Sequence, residues 1–358
     1  MTTPRNRLLR LGAVVSTALL SALVLSGCGR SADAGPGAST TVDDKPATGT
    51  VTLWAPDGDA TVLDKVLASF KKANPDLTLK ITLIPSDQYQ TKLQTASSAG
   101  TLPDIAQVYT ENQIQFLSSG AFAPVPDGLV DSASFFPAAW EAGTYKKTTY
   151  SVPWYAYTRV LIYRKDLAAA GNATVPTTWD QTIPFFTALQ AGGAASGFGA
   201  DVGWDTYTGQ NLGIYAHQAG STLMNADQTK WVLDDPAVVK AIDYTTAPFT
   251  SGVSSVDGPT FLDAQPYFVD GKTGSMISGP WVIASLDTTA KKEGWTAEHV
   301  GTAVLPKGPD NGSSELGGGS WVVNKNSKNA SSAWKVVRAM AQKATQIAQF
   351  KAFGSMPA

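Results

Sequence analysis

The sequence predicts an α/β fold whose first half is a parallel sheet, and three observations carry that expectation. From residue 50 onward, apolar runs of strand character alternate with segments of helical spacing. Strand, helix, strand, helix and strand in succession imply right-handed crossovers and therefore parallel strands. The chain is also long: 358 residues, at roughly 150 per domain, make about two domains, and 43% hydrophobic residues can give each a full core.

Each element follows from its residues. Thr50-Val-Thr-Leu-Trp54 is an apolar strand that opens into Ala55-Pro-Asp-Gly-Asp59. Val62, Leu63, Val66, Leu67 and Phe70 then recur at helical spacing until Asn74-Pro75 stops them. Leu77, Leu79, Ile81 and Leu83 alternate as a strand does, and the polar segment Asp87 to Ala99 suits a helix. Asp104 to Val108 is a short apolar strand, and Asn112 to Ser119 is helical again. Ligands of such sheets bind beyond the carboxyl ends of the strands. Asp57 to Asp59 and Tyr109 to Asn112 occupy that position after the first and third strands. Tyr150 to Tyr163 is a β-prone run interrupted by Pro153 and long enough to leave one sheet and enter another. A helix over Lys165 to Ala170 ends at Gly171, and Gly192 to Gly213 is glycine-rich and carries Trp204, Tyr207 and Asn211. Pro236 to Thr246 is a helix, and Thr273 to Ser278 a strand leading into Gly279-Pro280-Trp281. No internal repeat of solenoid length is found.

Upstream of this body, Arg5, Arg7 and Arg10 precede an uncharged stretch, Leu11 to Leu25, made mostly of Ala, Val and Leu. That is the build of an export signal over residues 1–27, and its Ser, Thr and Gly content argues against a permanent transmembrane helix. The closing Leu25-Ser26-Gly27-Cys28 resembles a bacterial lipobox, which implies that Cys28 is lipidated and becomes the mature amino terminus. Ordinary signal cleavage beside a chance cysteine is the alternative. Acyl chains on Cys28 would hold the folded body at the outer face of the cytoplasmic membrane. Residues 28–49, rich in Gly, Ala, Ser, Thr and Pro, are expected to form a flexible tether.

Composition narrows the function. With 27 basic against 29 acidic side chains the formal net charge is −2, which leaves no basic field to neutralise nucleic-acid phosphates. One cysteine excludes an intrachain disulfide. His217 and His299 lack nearby ligand spacing, so neither a metal nor another cofactor is expected. Gly271-Lys-Thr273 ends like a phosphate-binding loop, but the required first glycine would be residue 266, which is Pro266. Neither a Gly-x-Ser-x-Gly elbow nor a His-Glu-x-x-His motif occurs. What the chain has instead is 10 Trp, 11 Tyr and 13 Phe, with many of the tryptophans beside glycine, proline or acidic residues.

Several groups of residues then carry a family resemblance. They are Leu102-Pro-Asp-Ile105 with Ser119-Gly-Ala-Phe-Ala-Pro-Val125, and Thr158-Arg-Val-Leu-Ile-Tyr-Arg-Lys-Asp-Leu167 with Pro176-Thr-Thr-Trp179. Phe268-Val-Asp-Gly-Lys-Thr-Gly-Ser-Met276 with Gly279-Pro-Trp281, and Gly317-Gly-Gly-Ser-Trp321, complete the set. In order and spacing they resemble the extracellular solute-binding proteins of ABC sugar importers, in the maltose-binding-like branch, over nearly all of residues 50–357. The resemblance implies a two-lobed α/β fold of the periplasmic-binding-protein type, with a central ligand cleft closed by hinge motion. Three interlobe crossings would fall near Trp154 to Tyr157, near Gly271 and near Gly318. Lobe 1 would hold residues 50–155 and 271–318, and lobe 2 residues 156–270 and 319–358. Relatives continue with further helices past the element at Gly354 to Ala358, so a carboxy-terminal truncation is also expected.

Carried over position by position, the resemblance implies ligand contacts from Asp57, Gly58 and Asp59 after the first strand and from Glu111 and Asn112 after the third. It adds Tyr157, with Tyr155 on the same strand face, and Trp204, Tyr207, Gln210 and Asn211 in the second lobe. Trp281 and, at the last crossing, Gly318 and Gly319 complete the site. Some relatives offer a carboxylate where this chain has Tyr157, which implies different hydrogen bonding and with it a different sugar.

A sugar ring has apolar C–H faces and a rim of hydroxyls, so it calls for flat aromatic surfaces and planar polar groups, and the candidate loops supply both. Plainer readings stand beside these. Core packing is expected for Trp54, Trp140, Trp179 and Trp334, while Trp321 suits either role and Trp281 is assigned to the ligand through the resemblance. Glu111, Asn112, Asp57 and Asp59 also suit helix capping. The expected function is a monomeric, non-enzymatic, lipid-anchored binding protein that captures an extracellular carbohydrate, an oligosaccharide, and passes it to an ABC permease. No nucleic acid is expected as a partner. The alternatives are a secreted glycoside hydrolase, whose two carboxylates usually lie far apart along a chain, and an adhesion or scaffold lipoprotein using exposed aromatics.

Overall fold

The computed structural model describes residues 41–57, 62–200, 208–227, 229–259 and 263–358. Strand β1 (Gly49–Pro56) shows how the first sheet is made: Val51, Leu53 and Ala55 are fully buried, and Thr52 and Trp54 between them face the other side. β2 (Leu77–Ile84) and β3 (Ile105–Tyr109) both pair with β1 in parallel, as the alternation of strands and helices requires. The first helical segment forms two short helices, Leu63–Val66 and Ala68–Ala73, that end at Asn74 before Pro75. The helix Ser86–Ala99 connects β2 to β3 and closes on Gly100 in the left-handed conformation. A ribbon of β4 (Thr144–Tyr145) and β5 (Thr148–Thr149) precedes β6 (Ser151–Tyr157).

The run from Tyr150 to Tyr163 does leave one sheet for another. β6 belongs to the first sheet, two residues follow, and β7 (Val160–Arg164) opens the second. There β7 lies between β8 (Ser275–Ser278) and β9 (Val300–Ala303), antiparallel to both. The chain then returns to the first sheet. β10 (Gly317–Val323) runs antiparallel between β6 and β3, and β11 (Met356–Pro357) pairs with the outer side of β6. The order is β11-β6-β10-β3-β1-β2. β6 and β10 are buried at every residue because both faces of this sheet are covered. Trp321 and Val323 enter one apolar cluster, with Trp154 and Trp334, while Val322 between them enters another. Trp321 and Trp334 are therefore core residues.

Strand pairing divides the chain differently from the expected boundaries. Residues 271–303, expected in lobe 1, carry β8 and β9, which are bonded to β7 in lobe 2. Residues 319–358, expected in lobe 2, carry most of β10, the helix Ala330–Met340 and β11, which complete the sheet and core of lobe 1. Gly271 is a turn inside lobe 2, since Phe268 before it and Met276 after it share one buried cluster. The lobes are connected through Thr158-Arg159 and through Val304 to Leu316. The physical reason is hydrogen-bond completion: β10 fills the vacant edges of β3 and β6, which buried backbone groups cannot leave open.

The expected tether also ends early. Ala47 is fully buried and its N–H donates to Asn74 Oδ1 at 2.6 Å. Thr48 and Ser332 exchange hydrogen bonds of 3.0 and 2.9 Å. Lys335 Nζ lies 2.5 Å from Asp43, and Arg338 3.1 Å from Asp44, so the segment before β1 is clamped onto the helix Ala330–Met340. A second staple explains the Leu102-Pro-Asp motif. Asp104 accepts from the N–H and hydroxyl of Thr52 (2.8 and 2.7 Å) and from Ser327 Oγ (2.5 Å), joining β1, β3 and the turn after β10. Burial pushes this carboxyl up, but hydrogen bonds from Ser327, Thr52 and Asn329 outweigh it and hold its pKa below the ordinary value of 3.8. Among the described residues no helix is long and apolar enough to cross a membrane.

Candidate ligand-binding site

Strand direction gathers the candidate residues on one rim of the first sheet. β1, β3 and β6 end there and the antiparallel β10 begins there. Asp57 follows β1 directly, and Glu111 and Asn112 form the turn Thr110–Asn112 that follows β3. Both connections to lobe 2 meet this rim, at Thr158 and at Leu316.

Tyr155 and Tyr157 share one face of β6, with rings stacked 6.3 Å apart at 25°. They fit because the opposing strand is glycine, with Gly317 across from Tyr157 and Gly319 across from Tyr155. A Cβ on Gly317 would stand 2.1 Å from the Tyr157 ring, and one on Gly319 would stand 2.9 Å from that of Tyr155. Gly318, at φ +154°, would bring a Cβ to 2.2 Å from the Tyr155 carbonyl oxygen. The triple glycine therefore seats the tyrosines. Gln107, buried in β3, donates from Nε2 to the Tyr155 hydroxyl at 3.3 Å.

Trp281 lies in the first turn of the helix Pro280–Ala290, not in an extended strand exit. Its ring meets Tyr157 edge-on, at 4.7 Å and 73°, and packs against buried clusters of both lobes. The Arg159 guanidinium lies over the rings of Trp281 (5.2 Å) and Tyr157 (5.9 Å). Arg159 is the residue that sequence reading misses. Only 5% exposed, it donates from Nε to Glu315 (2.7 Å) and from Nη2 to Gln210 Oε1 (2.5 Å). Its one signal in the sequence is a charge inside the β-prone run Tyr157-Thr-Arg-Val160, and the acid that pairs with it is 156 residues away.

The other expected residues have mixed placements. Asp57 accepts from the N–H and hydroxyl of Ser86 (3.1 and 2.7 Å) and so holds the start of the helix Ser86–Ala99. Gln210 is joined to the junction through Arg159. Asn211, on the same helix Thr208–Gln218, lines a cavity of about 170 Å³ within lobe 2, with Phe186, Phe198, Tyr215 and Tyr244. Burial pushes the Tyr244 hydroxyl up to about 12. Gly58, Asp59, Trp204, Tyr207 and Cys28 lie outside the described residues. Trp179 stacks on Tyr244 at 4.1 Å and 8°, and its indole N–H donates to the buried Gln218 at 2.7 Å. Among the described residues no three His, Cys, Asp or Glu side chains are grouped as metal ligands.

Two α/β lobes, connected at one rim where aromatic rings sit beside amide, carboxylate and guanidinium groups, define a two-lobed ligand-binding protein. The chain belongs to the bacterial extracellular solute-binding protein family, whose family model matches residues 55–347. It is similar to a binding protein of Brucella abortus (strain 2308), 28% identical over 335 residues that cover 91% of this chain and 76% of that one. Its structure is similar to the GacH receptor of Streptomyces glaucescens GLA.O, solved unliganded and in complex with acarbose. There the TM-score is 0.76 at 25% identity, over 87% of this chain and 80% of that one. It is also similar to the sugar-binding protein MalE from Xanthomonas citri, with TM-score 0.71 and 25% identity over 86% and 79% of the two chains. Family membership makes the protein an extracellular binding protein, not the glycoside hydrolase that its sequence also allowed.

Proposed function

We propose that the protein captures a carbohydrate, an oligosaccharide, between its two lobes and delivers it to an ABC permease while a lipid on Cys28 holds it at the outer face of the cytoplasmic membrane. One observation carries this reading. Tyr157 of lobe 1 and Trp281 of lobe 2 meet at 4.7 Å on the rim where both connections cross, which supports an aromatic ligand contact at the junction that closure narrows. Sugar C–H faces stack on such rings, and their hydroxyls take paired hydrogen bonds from planar polar groups. The likeness to GacH and MalE supports the same ligand class.

The proposed contacts are Asp57, Gly58, Asp59, Glu111, Asn112, Tyr155 and Tyr157 with the glycines Gly318 and Gly319 on one side, and Trp204, Tyr207, Gln210, Asn211 and Trp281 on the other. A ligand held by both sides gains part of its contacts only on closure, and that differential affinity shifts the population to the closed form. The protein breaks no bond. A glycan panel read by thermal shift tests the reading. A specific sugar at about 100 times its dissociation constant adds about 2.7 kcal/mol of stability, so one glycan should raise the midpoint in proportion to its logarithmic concentration. A panel in which no glycan does so, while another class of solute does, refutes the carbohydrate assignment.

A further inference from the structure

Arg159 is buried in one of the two connections that must deform when the lobes move relative to one another. The outgoing connection consists of Thr158 and Arg159 alone, and the returning connection, Val304 to Leu316, reaches the same rim beside it. The two are tied twice. Arg159 Nε donates to Glu315 Oε1 at 2.7 Å, and Ser314 Oγ donates to the Arg159 carbonyl oxygen at 3.0 Å. From the same guanidinium, Nη2 reaches Gln210 near the start of the helix Thr208–Gln218, and Cζ lies over the Trp281 ring, 5.2 Å from its centre. A planar fork can make these contacts together from two separate nitrogens, whereas an ammonium group donates from a single nitrogen and has no planar face to lay on a ring. A charge so little exposed also requires its counter-charge, so the geometry is strongly constrained.

We propose that Arg159 is the positioning residue of the hinge. It carries the Trp281 ring and the start of the helix Thr208–Gln218 as one body with the Glu315 connection, so the angle between the lobes and the aromatic surface offered to ligand are set together. This rests on the hinge-closing function proposed above and concerns its geometry, not the identity of the sugar.

The test uses the full chain with Cys28→Ser, so that cysteines introduced at exposed Ser98 in lobe 1 and exposed Thr187 in lobe 2 alone carry spin labels. Interlobe distance distributions are recorded without ligand for this parent, for Arg159→Lys, for Glu315→Gln and for the double variant. Both single variants should shift and broaden the distribution, and the double variant should add nothing to the larger single change, because the two residues act as one unit. Thermal melts show which variants fold. Glu315→Gln keeps the shape and an acceptor oxygen, so it preserves the test if Arg159→Lys does not fold. A folded Glu315→Gln protein with the parent distribution overturns the proposal, and additive single changes do the same. Titration with the glycan bound best by the parent should show a loss of about tenfold or more for Arg159→Lys. If no glycan binds the parent while the distributions shift as described, the carbohydrate reading fails and the hinge assignment stands.

Discussion

Replacing Trp281 by alanine, beside the same change at Trp179, separates a ligand-facing indole from a packing one. Trp281 is partly buried at the lobe junction, with Tyr157 against its edge and Arg159 over it. An aromatic anchor at the centre of a binding site is commonly worth on the order of 2 kcal/mol, so Trp281→Ala should lose roughly thirtyfold in affinity. The folded state loses the ring's packing against clusters of both lobes and a cation–π contact of about 0.5–2 kcal/mol, so melting falls as well and affinity is read on the folded protein. Trp179 holds a different position. Its removal deletes a stacked partner of Tyr244 and leaves the amide of fully buried Gln218 without its indole donor. Trp179 is partly buried against the cluster around Tyr215, so its loss costs toward the lower end of the roughly 3–5 kcal/mol of a large buried aromatic, and the unsatisfied amide works in the same direction. At about 2–4 °C per kcal/mol for a protein of this scale, Trp179→Ala should melt about 10 °C lower and still bind once folded. Calorimetric titration with the best panel glycan, beside thermal melts, reads both quantities. Parent-like affinity in Trp281→Ala, with weakened binding in a folded Trp179→Ala, would refute the placement of the sugar at the lobe junction.

Three further outcomes are expected. Gly317→Ala puts a methyl group 2.1 Å from the Tyr157 ring, so the ring must yield, at a cost of roughly 1–3 kcal/mol, and both melting midpoint and glycan affinity should fall. Asp104→Asn should destabilise the protein at neutral pH. Because the folded-state pKa lies below 3.8, the carboxylate's contribution is present above that value and fades as pH falls through the lowered one. Denaturant midpoints of parent and variant should therefore converge in acid; a constant gap across pH would show that the staple is not ionic. Cys28→Ala should release the protein from the membrane fraction of an export-competent host, and equal membrane association of variant and parent would end the lipid-anchor proposal.

Local pattern determined a large part of this molecule. The alternation Val51, Leu53, Ala55 and the helical spacing from Val62 to Phe70 encode burial within a few residues, so the parallel strands β1 to β3 and their crossovers were legible. The length of the β-prone run Tyr150 to Tyr163 likewise allowed a strand that changes sheets, although the change falls at Thr158-Arg159 and not at Pro153. The ordered motifs pointed to the family, and a model of that family spans residues 55–347. Tertiary structure decided the rest. β8 and β9 have strand character that names no partner, and only the free edges of β7 assign them to lobe 2. Gly317 to Gly319 look like a flexible run until Tyr155 and Tyr157 are seen to need the space. Asp43 and Asp44 read as part of a loose tether until Lys335 and Arg338 stand opposite. Arg159 and Glu315, 156 residues apart, carry no mutual signal along the chain. Periodicity reports which face of an element leaves water; which distant edge, ring or counter-charge covers it depends on where hydrogen bonds and buried charges remain unsatisfied once the chain has packed.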